Sequence, residues 1–169
     1  IGLPPSAPAD AEAPRRLVFP GAFNPLHAGH LAMADIASEE TGLSAEFEIS
    51  IQNVDKQLPD ASNLMELVRQ FSPHESVWLT NAMRFQDKAE LFPSATFVVG
   101  ADTLARIGDV AYYESEPHLA DSLTAIKASG GGFLVFARRV QGKVCELDDL
   151  DLPPALSELC HSVPASRFC

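Results

Sequence analysis

The sequence predicts an α/β fold, a doubly wound and mainly parallel sheet with helices on both faces. Three observations predict it. Short apolar runs with strand character alternate with longer stretches of helical periodicity, in the order β-α-β-α-β. The strand runs, Phe133-Leu134-Val135-Phe136 among them, are apolar at consecutive positions, as strands covered on both faces are. A loop rich in Gly, Pro and His joins the first strand to the first helix, the place where such sheets bind their ligands.

Residues 1–14 hold four of the thirteen prolines and almost no large apolar side chains, so they read as a loose, disordered tail. The ordered domain is expected over 15–169. Arg15-Arg16-Leu17-Val18-Phe19 is the first strand, stopped by Pro20-Gly21. From His30 to Glu40, Leu31, Ala34, Ile36 and Ala37 form a helical stripe, and Gly42 stands at its C-cap. Glu46-Phe47-Glu48-Ile49-Ser50-Ile51 alternates polar and apolar residues, the period of a strand. Residues 60–71 fit a helix with Asp60 or Ser62 as N-cap and Leu64, Leu67, Val68 and Phe71 on one face. Val77-Trp78-Leu79 and Thr96-Phe97-Val98-Val99 are further strands. Residues 102–107 and 118–128 suggest helices, and Gly130-Gly131-Gly132 separates the second from the strand 133–136.

At 169 residues the chain suits one domain able to bury about two thirds of its unfolded surface. Its net charge of −11 argues against a surface that tracks nucleic acid or anionic lipid, yet leaves room for a local phosphate site. The longest apolar run, Phe133 to Ala137, is far short of the about 20 residues that span a bilayer. Cys145, Cys160 and Cys169 form no C-x-x-C pair, and an odd count makes a poor disulfide framework. With no basic-then-apolar leader, a reducing, cytoplasmic setting is the expectation. The opening Ile, in place of Met, suggests a piece of a longer protein.

The stretch Gly21-Ala22-Phe23-Asn24-Pro25-Leu26-His27-Ala28-Gly29-His30 carries the most chemistry. Gly21 allows backbone to approach a ligand, Pro25 stiffens the loop, and Gly29 leaves room between the histidines. A helix N-terminus presents unpaired N–H groups and a partial positive charge to a phosphate. Imidazoles at i and i+3 can address the same anion. A zinc reading of H-x-x-H lacks an accompanying Glu and a third ligand, so no metal ligands are assigned.

The combination G-x-F-x-P-x-H-x-G-H resembles the signature of the nucleotidyltransferase superfamily that includes nicotinate/nicotinamide mononucleotide adenylyltransferases, pantetheine-phosphate adenylyltransferase and cytidylyltransferases. The resemblance implies a Rossmann-like fold and transfer of AMP from ATP to a phosphorylated small molecule, most closely nicotinate or nicotinamide mononucleotide, with release of pyrophosphate. The alternatives are another phosphorylated acceptor and a nucleotide-binding module that does not catalyse. It further implies Mg²⁺ accompanying ATP, His27 and His30 as catalytic residues, and Gly21, Ala22, Phe23, Asn24 and Gly29 around the nucleotide. Phe97-Val98-Val99-Gly100-Ala101-Asp102 resembles the family's strand-then-G-x-D segment, placing Gly100 and Asp102 at the nucleotide; a helix cap is the other reading of Asp102. Phe133 to Arg139 resembles a late strand that ends in an Arg, which brings in Arg138 and Arg139, otherwise a solvated pair. Residues 17–168 also resemble a subgroup of nucleotidylyl transferase-like proteins through Phe47–Lys56, Lys88–Pro93, Phe97–Arg106 and Tyr112–Glu114.

Two departures stand against the family pattern. A P-P-H-K-like stretch is replaced by Asn53-Val54-Asp55-Lys56-Gln57-Leu58-Pro59, leaving Lys56 as its one counterpart. A closing S-S-T-x-x-R helix is not found, and it is expected beyond residue 169; Ser166-Arg167 is the alternative, a degenerate version. The acidic run Glu146-Leu147-Asp148-Asp149-Leu150-Asp151 reads as a solvated loop. Trp78, Tyr112 and Tyr113 read as packing residues, with base stacking as the other role.

Overall fold

The computed structural model describes residues 13–51 and 61–168. Lys56, Asp60 and most of the tail, residues 1–12, lie outside them. Six parallel strands form one sheet in the order β3-β2-β1-β4-β5-β8. They are β1 (Arg16–Pro20), β2 (Ala45–Ser50), β3 (Ser76–Thr80), β4 (Ala95–Gly100), β5 (Gly132–Phe136) and β8 (Cys160–Val163). β6 (Arg138–Val140) and β7 (Lys143–Cys145) pair with each other as an antiparallel hairpin between β5 and β8. The helices are α1 (Ala28–Thr41), α2 (Ala61–Arg69), α3 (Phe85–Leu91), α4 (Ala101–Ile107), α5 (Glu116–Ala128) and α6 (Pro154–Ser157). This is the Rossmann-like arrangement the sequence predicts.

Pleating sends alternate residues of each strand to opposite faces, and both faces are covered. Leu17, Phe19, Phe47, Ile49, Val98, Leu134 and Phe136 pack with Met33, Ala34 and Ala37 of α1 and with Phe71 beyond α2. Val18, Phe97, Val99, Phe133 and Val135 pack on the other face with Ala89 of α3, Leu104 and Ile107 of α4, Leu119, Leu123 and Ile126 of α5, and Leu156 of α6. The continuous apolar character of β4 and β5 follows from this double coverage. Gly42 ends α1 with φ of 71°, the left-handed geometry of a helix C-cap.

Five elements escape the sequence pattern, among them the single-turn helix α6 at Pro154–Ser157. α3 offers only short apolar spacing in Phe85–Leu91, and β8 reads Cys-His-Ser-Val with only Val163 buried. β6 and β7 are three residues each. The acidic run makes a 3₁₀ turn rather than a simple solvated loop: Asp149 accepts from the Glu146 N–H at 2.9 Å, and Glu146 Oε1 accepts from the Ala165 N–H at 3.0 Å. Cys145 and Cys160 are free thiols, and burial pushes Cys160 up to about 12, which leaves it unreactive at neutral pH.

Candidate nucleotide site

Strand β1 delivers the chain to the point where the strand order reverses, between β2 on one side and β4 on the other. The Gly21 N–H donates to the Glu48 carbonyl at 3.0 Å, carrying the β1–β2 bonding one residue past the strand. Phe23 then adopts φ of 46° and turns its ring inward, leaving it 2% exposed. The ring meets Phe19, Phe47 and Phe71 edge-on at 5.3, 5.3 and 5.7 Å. Sequence reasoning placed Phe23 at the nucleotide; the structure makes it the anchor beneath the loop, with one edge in the site. Gln70, which the sequence did not single out, braces the same loop. Its amide donates to the Phe23 carbonyl at 3.0 Å and accepts from the Leu26 N–H at 2.8 Å. Both ends of the Phe23–Leu26 turn are therefore tied to the end of α2.

His27 caps α1 and His30 lies in its first turn. The rings stack, with centroids 3.6 Å apart and planes 20° from parallel. Gly29 makes this possible: a Cβ there would stand 3.1 Å from the His27 ring. The His27 N–H donates to His30 Nδ1 at 3.3 Å, so the neutral His30 ring carries its proton on Nε2. Phe23 supports the His30 ring edge-on at 5.0 Å. Burial first, then the neighbouring His27 and Arg138, hold the His30 pKa below its ordinary value of 6.5. Near pH 7 it is a neutral donor.

That direction makes a stability prediction. A histidine whose pKa is lower folded than unfolded binds fewer protons when folded. Its contribution is nil above 6.5 and becomes destabilising as pH falls through that value. Thermal melts from about pH 8 to about pH 5 should show the wild type losing more stability on acidification than His30→Asn. Parallel losses in the two proteins would contradict the assignment.

β4 ends at Gly100, the N-cap of α4, and Asp102 stands in the first turn without capping it. The Asp102 carboxylate turns instead to Arg138, at 3.4 Å between Oδ1 and Nε. Both atoms are buried, and neither makes an aligned hydrogen bond, an uncommon condition for buried polar atoms. Gly100 leaves the room for this pair, since a Cβ there would lie 2.5 Å from Arg138 Nε. Gly21, Ala22, Phe23, His30, Gly100 and Arg138 together line a cavity of about 210 Å³ at the carboxyl ends of β1 and β4.

The other expected residues stand outside the lining of that cavity. His27 is exposed above the cavity, with His30 beneath it. Asn24 lines a neighbouring cavity of about 620 Å³ with Ile49, Asn63 and Gln70, and Ala22 borders both. Arg139 is exposed on the hairpin, its side chain alternating away from that of Arg138, and it lines neither cavity. Arg167 pairs with Glu39, at 2.7 Å, and with Glu40, at the opposite end of α1 from His30. Its guanidinium is thus engaged far from the histidines.

Phe85 and Thr103 are additional lining residues that sequence reasoning missed. Both also line an outer cavity of about 180 Å³ with Arg84, Arg106, Tyr112 and Tyr113, so the two spaces share a wall. Tyr113 is fixed by donation to the Ile107 carbonyl at 2.8 Å, while Tyr112 is 63% exposed. Trp78 stands apart near the Arg16 end of the sheet, its indole N–H donating to Glu46 at 2.6 Å. It is 41% exposed and lines a separate cavity of about 790 Å³ that holds neither histidine. Among the described residues no group of three His, Cys, Asp or Glu side chains is placed to hold a metal ion. No described helix is long and apolar enough to cross a membrane.

A parallel sheet with a glycine-lined cavity at its switch point and a helix N-terminus above it is the arrangement in which α/β domains hold phosphate-bearing ligands. Residues 18–130 match the family model for cytidylyltransferase-like proteins, and the chain belongs to that family. The match runs from within β1 to just past α5, including both histidines and Asp102, and supports a nucleotidyltransferase function with a nucleoside triphosphate and a phosphorylated acceptor as substrates. No curated protein matches the chain.

Proposed function

We propose that this domain transfers AMP from ATP to a mononucleotide, nicotinate or nicotinamide mononucleotide being the acceptor class the resemblance favours. The observation that carries the reading is the convergence of His30, Gly100 and Arg138 on one cavity beneath the α1 N-terminus. The acceptor's phosphate is already ionised at neutral pH, so its oxygen attacks the α-phosphorus of ATP without a general base, and pyrophosphate leaves. The chain's part is placement and charge stabilisation. His30 donates from Nε2 to a phosphate oxygen, Arg138 supplies fixed positive charge, and the α1 N–H groups face the triphosphate. His27, exposed over His30, serves the outer phosphates. Mg²⁺ enters as part of the substrate, chelated by the ATP phosphates, and neutralises charge there. The outer cavity supports an acceptor carrying a planar ring and anionic groups, since it sets Arg84 and Arg106 beside Tyr112 and Tyr113.

Pyrophosphate release tests the reading. With the full-length protein, ATP and CTP are offered against nicotinate mononucleotide, nicotinamide mononucleotide, phosphopantetheine and an alcohol phosphate. Release with ATP and a mononucleotide is expected. Release with CTP and the alcohol phosphate would reassign the acceptor, and ATP binding without release from any pair would leave a non-catalytic nucleotide-binding module.

A further inference from the structure

We propose that the buried Lys88–Glu48 pair positions the acceptor side of this site, an inference that rests on the nucleotidyl-transfer reading above. Glu48 is 0% exposed and Lys88 5% exposed. Lys88 Nζ donates to Glu48 Oε2 at 2.7 Å and to the Ala82 carbonyl at 2.8 Å, and it lies 5.9 Å from the centre of the Phe85 ring. Thr80 donates its hydroxyl proton to Glu48 Oε1, and the Ala82 N–H donates to Thr80 Oγ1 at 3.2 Å. Both polar groups of the Ala82 backbone thus end in one network, which strings the turn from β3 to α3 onto Glu48.

That turn carries the wall of the site. Phe85 separates the cavity of His30 from the outer cavity, and Arg84 lines the outer one, its guanidinium 3.2 Å from His118 Nε2. On the other side, the Glu48 carbonyl holds the Gly21 N–H. One residue of β2 therefore ties the start of the phosphate loop to the Arg84–Phe85 wall. A buried ion pair is often matched in stability by apolar residues of similar volume, so stability alone does not account for this one. Its hydrogen bonds are directional, whereas apolar packing is not. Lys88 and Glu48 are positioning residues, acting through Phe85 and Arg84.

The test separates position from stability. Lys88→Met leaves Glu48 buried without its cation, whereas Glu48→Leu combined with Lys88→Met removes both charges. Assays run well below each variant's melting point, reading kcat and the two KM values separately. The single variant is expected to lose stability and to raise the acceptor KM about tenfold, with kcat and the ATP KM within about twofold. The double variant is expected to recover stability while keeping the raised acceptor KM. A wild-type acceptor KM in the stabilised double variant would overturn the proposal. If neither variant folds, Lys88→Gln is used, which keeps a donor but not the charge; its acceptor KM should rise about threefold, and an unchanged value overturns the proposal. If the wild type releases no pyrophosphate with any acceptor, the transfer reading itself fails. Amide hydrogen exchange over residues 81–87 then decides the positioning: faster exchange in whichever of these variants folds supports it, and wild-type protection overturns it.

Discussion

Replacing His30 with alanine is expected to lower kcat about 10²-fold or more while costing no more than about 1 kcal/mol of stability. The rate effect follows from the donor's preparation. His30 Nδ1 is occupied by the His27 N–H, Phe23 supports the ring, and the depressed pKa keeps Nε2–H a neutral donor in the free protein. A donor already in place needs no reorganisation when charge develops on the transferring phosphate. The stability effect is small because the ring is only half-buried, and near pH 7 its titration contributes nothing to stability. His27→Ala should cost less rate, since that ring is exposed and borders the cavity only through His30. Pyrophosphate-release kinetics with parallel melting curves check both. Near-normal kcat in both variants would remove the histidines from the mechanism. A collapsed melting curve for His30→Ala would show that its role is packing.

What the sequence disclosed follows from which interactions are local. The α1 N-terminus, Gly42 and the strands β1, β4 and β5 are written in short-range signals, namely a glycine-proline loop, a helix-ending glycine and unbroken apolar runs. The signature loop was legible because its residue types repeat a known pattern. What that pattern could not convey was division of labour: Phe23 is a core anchor, and Arg138 and Arg139, adjacent in sequence, separate because successive strand residues point to opposite sides. The alternation Glu46-Phe47-Glu48-Ile49 indicated a strand but not that Glu48 is fully buried. Its partner Lys88 lies 40 residues away on a helix with little apolar periodicity. Gln70 braces a loop 44 residues earlier by amide bonds that leave no trace in hydropathy. Pairings of this kind are fixed by tertiary packing and carry no periodic signature.

Gly21→Ala is expected to be nearly as damaging as the loss of His30, although the added methyl touches neither histidine. A Cβ at Gly21 would stand 2.7 Å from Phe23 Cζ and 3.0 Å from both Cε atoms. An exposed ring would swing away at little cost. Phe23 cannot, because Phe19, Phe47 and Phe71 close on it and Gln70 holds its carbonyl. The strain is therefore shared between the ring and the loop backbone, at about 1–3 kcal/mol, the usual cost of overpacking a filled core. Two site contacts lie on the path of that relaxation. The Gly21 N–H must shift against the Glu48 carbonyl, and Phe23 must shift against the His30 ring it supports at 5.0 Å. A displacement of His30 by about 1 Å is enough to cost about 10²-fold in rate. The expected outcome is thus a folded protein with a modestly lowered melting point, a strongly reduced kcat and weakened ATP binding, measured by calorimetry and pyrophosphate release. Pairing it with Phe23→Leu provides the internal check. The smaller side chain should relieve the clash and raise the melting point above that of Gly21→Ala alone. The rate should recover only in part, because His30 has then lost the aromatic edge that holds it.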